Sequence, residues 1–380
     1  VAGCGSPAQA LVLSGGLALG AFSAGACAAL ESACGPVRWI AGASAGAINA
    51  AILAGNPPGQ RADQLRRFWD MLASDPTPAS TFLLGPPPPA GAWRSAYNQA
   101  AAWQTVLWGR PGLFRPRFAP GAQVGDVPAL YDLAPLVDRL PDFLDFERLN
   151  RGETRLSLVA TDIVSGARVV FDTQQGDRIG PRHLAACSAL LPLLSPVEVE
   201  GRLLGDGGLA SNAPLDLVLD APRDRALACF VVEHFARSGS RPRSLGAALS
   251  RAGDIGFGNQ SHVILGGVQR EARLRAVTER LAAMVPAEVR AQPEIAALLA
   301  EAAPAPTATL LWLDYHAGRD EAGPGKAFDY SRATLADRWR AGEEAMEAAL
   351  CRLATPGLAT RLAPGLLLHE VSGGAVDATT

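Results

Sequence analysis

Ser44 stands in the most chemically suggestive setting in this sequence. It is the centre of Gly42-Ala43-Ser44-Ala45-Gly46, a Gly-x-Ser-x-Gly pentapeptide between a strand-like run, 37–41, and a helix-like run, 47–54. A strand that enters a helix through so tight a turn leaves the Ser hydroxyl at the helix N-terminus, where the dipole favours developing negative charge. Glycines two before and two after it remove side chains that would collide. A second element, Gly15-Gly16-Leu17-Ala18-Leu19-Gly20, follows the apolar run 10–14. Its backbone N–H groups suit an oxyanion hole or a phosphate cradle. The dinucleotide spacing Gly-x-Gly-x-x-Gly is absent. A third element is Gly205-Asp206-Gly207-Gly208. A carboxylate in such a turn can reach a Ser hydroxyl and act as its general base, although Asp-Gly also serves in plain hairpins. A Ser–Asp–His order would make His234, His262, His316 and His369 eligible partners; none of them lies in a Gly-rich, strand-end setting.

The elements that must position these residues read as α/β. Strands are expected at 10–14, 37–41, 154–160, 167–172, 198–204, 226–232 and 310–315, and helices at 21–33, 47–54, 61–72, 127–140, 184–190, 269–284, 287–303 and 333–354. The opening strand–helix–strand–helix order predicts a parallel sheet with right-handed crossovers, in a three-layer α/β/α arrangement. Residues 8–235 read as the core, with a Pro-rich and aromatic insertion at 76–125. Residues 236–380 read as a mainly helical region packed on it, with one strand near 309–316. In the insertion, Pro86–Pro89 is too stiff for helix or central strand, and Trp93, Tyr97, Trp103, Trp108, Phe114 and Phe118 crowd together as a lid, an acyl-binding surface or loop core. The stretch 372–380 reads as frayed.

Composition narrows the possibilities. The chain has 380 residues, of which 48% are hydrophobic and 19% charged, so a large core can form and wholesale disorder is excluded. A net charge of −3 supplies no basic field for nucleic acid. The cysteines at 4, 27, 34, 187, 229 and 351 include no Cys-x-x-Cys pair, so no metal site is expected, and they read as free thiols. Residues 8–30 carry no charge and pass for a membrane span, but their glycines favour a buried strand, loop and helix. Val1-Ala2-Gly3-Cys4 resembles a lipoprotein cleavage box without the preceding leader regions; a chance Cys is the expected reading.

The three glycine-rich elements, in this order, resemble the patatin-like phospholipase family. So do 160–172, Ala186-Cys187-Ser188-Ala189-Leu190-Leu191-Pro192 and Asn212-Ala213-Pro214-Leu215. Gly109-Arg110-Pro111-Gly112-Leu113-Phe114-Arg115-Pro116-Arg117 and Asp329-Tyr330-Ser331 resemble a bacterial subgroup with its own C-terminal extension. The resemblance implies Ser44 as nucleophile, Asp206 as its partner without a His, and Gly15 and Gly16 as oxyanion donors, supported by Gly20, Gly42, Gly46, Gly207 and Gly208. The family's third loop glycine is Leu17 here, which puts a residue that resists positive φ in the hole, and the family's loop cation is replaced by Leu19. The expected activity is hydrolysis of lipid carboxylic esters through an acyl-enzyme, with no cofactor. Acyl transfer, thioester cleavage and non-catalytic lipid binding are the alternatives. The expected partners are a lipid or ester substrate and, peripherally, a membrane or lipid aggregate. The expected compartment is cytoplasmic or peripheral membrane, with a lipid anchor on Cys4 or secretion as alternatives.

Overall fold

A computed structural model describes residues 7–76, 82, 85–118, 129–239, 241–316, 323–355 and 357–373. Its strands are β1 (Ala8–Leu13), β2 (Trp39–Ala43), β3 (Arg115–Pro116), β4 (Tyr131–Asp132), β5 (Arg155–Asp162), β6 (Arg168–Asp172), β7 (Val197–Val199), β8 (Arg202–Asp206), β9 (Leu227–Glu233), β10 (Ala308–Tyr315), β11 (Thr360–Ala363) and β12 (Leu366–Gly373). Its helices are α1 (Gly20–Cys34), α2 (Ala45–Ala54), α3 (Arg61–Leu72), α4 (Ala92–Trp108), α5 (Ala134–Arg139), α6 (Phe146–Asn150), α7 (Pro181–Cys187), α8 (Leu215–Leu219), α9 (Leu245–Met284), α10 (Ala287–Arg290), α11 (Pro293–Glu301) and α12 (Arg332–Leu353).

Ten strands form one sheet in the order β11-β12-β10-β9-β1-β2-β5-β8-β7, with β6 also on β5. The six from β12 to β5 run parallel; the outer pairings are antiparallel. The two faces separate by simple alternation. Leu11, Leu13, Phe230, Val232, Leu311 and Leu313 pack under α1, α2, α3 and α12. Ala10, Val12, Cys229, Val231, Leu310 and Trp312 pack under α8 and α9. Both faces of the central strands are therefore covered, which is why they read as continuous apolar runs.

Residues 17–34 are long and apolar enough to cross a membrane, yet α1 is buried in this core. It lies unusually close to α12. A Cβ on Gly25 would strike the Trp339 carbonyl, and one on Gly342 would strike the Phe22 carbonyl.

Several elements depart from the sequence expectations. The run 198–204 is a hairpin, β7–β8, because Glu200 and Gly201 both take positive φ. The helix expected over 127–140 is only α5 and a short turn, since Tyr131–Asp132 pairs with Arg115–Pro116. Residues 127 and 128 lie outside the described residues, as do Cys4 and 374–380. The expected helix 184–190 runs from Pro181 to Cys187. The aromatic run is largely a helix, α4, that begins after the prolines. The helix expected from 269 begins at Leu245 and spans 40 residues, its glycines having disguised its first half. Gly258 is required there, because a Cβ would meet the Phe235 carbonyl. Pro293 divides the helix expected over 287–303 into α10 and α11. The C-terminal region adds three strands to the sheet where one was expected: β10, β11 and β12.

Candidate active site

β2 delivers Ser44 at its C-terminal end, and α2 begins immediately after it. The sharp reversal puts Ser44 at φ 52°, a conformation that costs energy for a residue with a Cβ. The turn is held from both sides. The Ser44 amide donates to the Cys187 carbonyl at 3.0 Å, and the Ser44 carbonyl accepts from Ala47 at 2.9 Å. The neighbouring glycines are dictated by contact: a Cβ on Gly42 would meet the Gly46 carbonyl, and one on Gly46 would meet the Leu13 carbonyl.

β8 brings Asp206 up from the antiparallel side of the sheet, opposite Ala160 of β5. Its amide donates to the Ala189 carbonyl at 2.9 Å, and Thr161 Oγ1 donates to its carbonyl at 2.8 Å. Gly207 lets the chain turn against β5, since a Cβ there would strike the Val159 carbonyl. The carboxylate accepts the Gly208 amide at 2.7 Å, and the Ser44 hydroxyl is near enough to help stabilise its charge. Both side chains are nearly sealed, at 5% and 2% exposure. Burial pushes the Asp206 carboxyl up to about 6, while the Ser44 and Gly208 donors oppose that rise.

The loop after β1 behaves differently from expectation at one point. The Gly15 amide is already engaged, donating to Asn212 at Oδ1 (3.1 Å) and to its carbonyl (3.2 Å). It is therefore no free donor to an oxyanion. Gly15 matters because it has no side chain: a Cβ would lie 2.7 Å from Ser44 Cβ. Among the described residues the loop amides without a hydrogen bond are those of Gly16, Leu17 and Ala18, the first two at φ 153° and 52°. Leu17 thus adopts the positive φ that a third glycine would take. Gly20 closes the loop, where a Cβ would meet both Trp69 and Ala45.

Residues that the sequence reading passed over support this loop from behind. His234 Nδ1 meets the Gly15 carbonyl at 2.8 Å, and its amide donates to Ser14 Oγ at 3.0 Å. Burial pushes His234 down to about 4, so it is neutral. Glu233 accepts from Ser261 Oγ at 2.6 Å, and Asn212 Nδ2 lies 3.4 Å from its Oε1. Burial pushes Glu233 up to about 8. Gln260 of α9 accepts from the Asn212 amide at 2.9 Å and donates to the Gly208 carbonyl at 3.1 Å. The signal for Glu233 was present: a carboxylate closing an otherwise apolar strand. The other histidines do elsewhere what buried imidazoles commonly do. His183 accepts the Gly180 amide, and His262 stacks on Trp312. No histidine hydrogen-bonds Ser44 among the described residues.

Two clefts meet at Ser44 and Leu17. One lies between apolar walls that include Ile48, Phe68, Trp69, Phe114 and Tyr330. The other runs past Asp206 to Phe257 of α9 and to Lys326 and Phe328 of the turn Gly323–Phe328. Lys326, the only lysine in the chain, is paired with Asp254 there at 2.5 Å. Among the described residues no group of three or more His, Cys, Asp or Glu is arranged to hold a metal ion.

No curated protein matches the chain. Among solved structures, VipD from Legionella pneumophila is 16% identical, with a TM-score of 0.32, over 65% of this chain and 55% of that one. This chain thus spans little more than half of VipD's length. The type III effector protein ExoU is 17% identical, with a TM-score of 0.26, over 94% of this chain and 68% of that one. Both likenesses are remote, and no residue assignment follows from them. A model of a further family, described as patatin phospholipase, matches residues 255–355. The model described as patatin-like phospholipase matches residues 11–219, more than half of the chain and all three glycine-rich elements, and the chain belongs to that family.

Proposed function

We propose that this protein is a serine acyl hydrolase that cleaves carboxylic esters of lipids through Ser44 and Asp206. The observation that carries the reading is the meeting of Ser44 and Asp206 at one cleft, where the Ser44 hydroxyl helps stabilise a buried carboxylate whose pKa is raised to about 6. Asp206 takes the hydroxyl proton as Ser44 Oγ bonds to the ester carbonyl carbon. The carbonyl oxygen becomes an oxyanion and accepts from the Gly16 and Leu17 amides, next to the positive end of α2. Each such donor lowers the barrier by about 3 kcal/mol. The carbon–oxygen bond to the alcohol then breaks, and Asp206 returns the proton to the departing alkoxide. Water, deprotonated by the same carboxylate, attacks the acyl-Ser44 ester and releases the fatty acid.

The apolar cleft suits the acyl chain. The larger cleft, with its Lys326–Asp254 pair, suits the alcohol side. The paired charges there present no net charge to a headgroup, in keeping with the loss of the family's loop cation at Leu19. Contact with a lipid surface is part of the proposal: α4 packs against the turn Gly323–Phe328 and exposes Trp103, Leu107 and Trp108.

Fluorophosphonate labelling and p-nitrophenyl ester hydrolysis test the assignment. Ser44→Ala should abolish both, Asp206→Asn should abolish turnover, and His234→Ala should leave a labelled protein. Full labelling of Ser44→Ala, or full turnover by Asp206→Asn, would overturn it.

A further inference from the structure

α9 covers the sheet with one face and leaves the opposite face in water. Its buried residues, Gly258, Ser261 and Leu265, share the face toward the core. On the outer face Leu245, Leu249, Val263, Leu274, Leu281 and Met284 are each 58–79% exposed. Ala252, Gly256 and Val277 stand between them and are exposed as well. Steps of three and four residues keep this set on one line along a helix of 40 residues, about 60 Å long. Asn259 and Arg270 are the polar residues on that line, and among the described residues no hydrogen bond or ion pair engages either side chain. Monomeric proteins rarely leave an apolar strip of such length in water.

The line is complementary to its own reverse. Turned end for end, it sets Leu245 against Met284, Leu249 against Leu281, Ala252 against Val277, Gly256 against Leu274 and Val263 against Gly267. A small residue faces a large one in the last three of these pairs, which gives each knob a hole. The same reversal sets Asn259 against Arg270. The two polar interruptions therefore meet each other rather than carbon, and an amide oxygen is a good acceptor for a guanidinium. A bilayer fits this face less well. Helices that lie in a membrane surface carry their cations along the borders of the apolar face. Here Arg270 stands on the line itself, and Glu271, Arg273, Glu279 and Arg280 mix both signs beside its second half.

We infer that the outer face of α9 binds a second copy of this chain, the two α9 helices running antiparallel across a twofold axis near residues 264 and 265. The core-facing residues lie on the far side of each helix, so the two bodies sit outside the helix pair. Such an interface is isologous and closes on itself as a dimer. A helix pair of this length buries on the order of 800 Å² per chain, the size of a standard specific interface. The inference goes beyond the proposed chemistry and does not depend on it.

Sedimentation equilibrium of the full chain should give twice the 39.4 kDa of one chain at micromolar concentration. Leu274→Asp/Leu281→Asp puts carboxylates into the seam at exposed positions, and should give a monomer with the circular dichroism of the wild type. Asn259→Arg sets guanidinium against guanidinium and should weaken the dimer about tenfold or more. Asn259→Arg/Arg270→Glu restores opposite charges and should recover it. Ser44→Ala should dimerise as the wild type does, whatever becomes of the hydrolase assignment. A monomeric wild type would overturn the inference, and so would a dimer unmoved by Leu274→Asp/Leu281→Asp. Weakening by Asn259→Arg without recovery in the double variant would overturn the antiparallel register. A monomer that binds phosphatidylglycerol vesicles, and loses that binding in Leu274→Asp/Leu281→Asp, would assign the face to lipid instead of a second copy.

Discussion

Gln260 holds Asn212 and Gly208 at once, accepting the amide of the first at 2.9 Å and donating to the carbonyl of the second at 3.1 Å. Gly208 in turn donates to Asp206, and Asn212 accepts from Gly15. A single side chain on α9 thereby fixes the turn that carries the Asp206 carboxylate and, through Asn212, the loop that follows β1. The C-terminal region is built into the site through this amide.

Gln260→Ala should accordingly act on catalysis more than on folding. We expect kcat on a short soluble ester to fall about tenfold as the two loops lose their common anchor. Unfolding free energy should fall by about 1–2 kcal/mol, the usual loss for two neutral hydrogen bonds. Kinetics and urea unfolding of the same preparation measure both. An unchanged kcat would show that α9 merely covers the sheet.

The raised carboxyl of Asp206 sets the acid limb of activity. Asp206 accepts a proton only when ionised, and its pKa is about 6. The rate should fall about tenfold per pH unit below that value and level off above it. Asp206→Asn should lower kcat by about a thousandfold or more. A flat profile between pH 5 and 8 would contradict a proton-accepting Asp206.

Glu233 governs stability in the opposite part of the pH range. Its ordinary pKa is 4.5, and burial raises it to about 8 in the folded protein. Between these values the folded state binds the extra proton. The stabilisation is full below about pH 4.5 and is lost as pH rises through 8. Glu233→Gln keeps the shape without the titration, so its melting temperature should decline less than the wild type's between pH 5 and 9. Parallel declines would place the ionisation elsewhere. His234, lowered to about 4, acts only on the acid side, below 6.5.

The turns that carry the proposed pair were legible in the sequence because their signals are local. Ser44 and Asp206 are each flanked by glycines within two residues, and each turn needs those glycines for contacts made within a few residues or with the adjacent strand. The supporting shell was not legible, because Gly15 and Asn212 are 197 residues apart and Asn212 and Gln260 are 48 apart. No local pattern marks a polar side chain as the partner of a distant amide. The first half of α9 was missed for a different reason. Gly253, Gly256, Gly258, Gly266 and Gly267 depress its helix propensity, and tertiary packing against Phe235 overrides that preference. Gly15 was read as an oxyanion donor from the family resemblance and its place in the loop after the first strand. Its amide turned out to be committed to Asn212.

The exposed tryptophans of α4 separate action on lipid surfaces from action on soluble esters. Trp103 and Trp108 are exposed on α4, the helix that packs against the turn bordering the larger cleft. Aromatic side chains in such a position enter the headgroup region of a bilayer. The double variant Trp103→Ser/Trp108→Ser should lose about tenfold or more of its hydrolysis of phosphatidylcholine vesicles, and far less of its p-nitrophenyl butyrate hydrolysis. Equal losses on the two substrates would place these residues outside any lipid contact.

Leu17 combines two roles that substitution can separate. Its backbone sits at φ 52°, where a Cβ is strained, and its side chain borders both clefts at Ser44. Leu17→Ala removes the partition but keeps the strain, whereas Leu17→Gly removes both. The Gly variant should therefore be the more stable of the two by about 1 kcal/mol, the reverse of the order expected at an ordinary φ. Both variants should shift kcat/KM toward esters with branched or longer acyl groups, because the wall between the clefts is gone. Urea unfolding and a series of p-nitrophenyl esters measure the two effects independently. If the Ala variant is equal or greater in stability, the loop does not hold residue 17 at positive φ. The Leu17 amide would then not face the oxyanion, and Gly16 would remain the donor there.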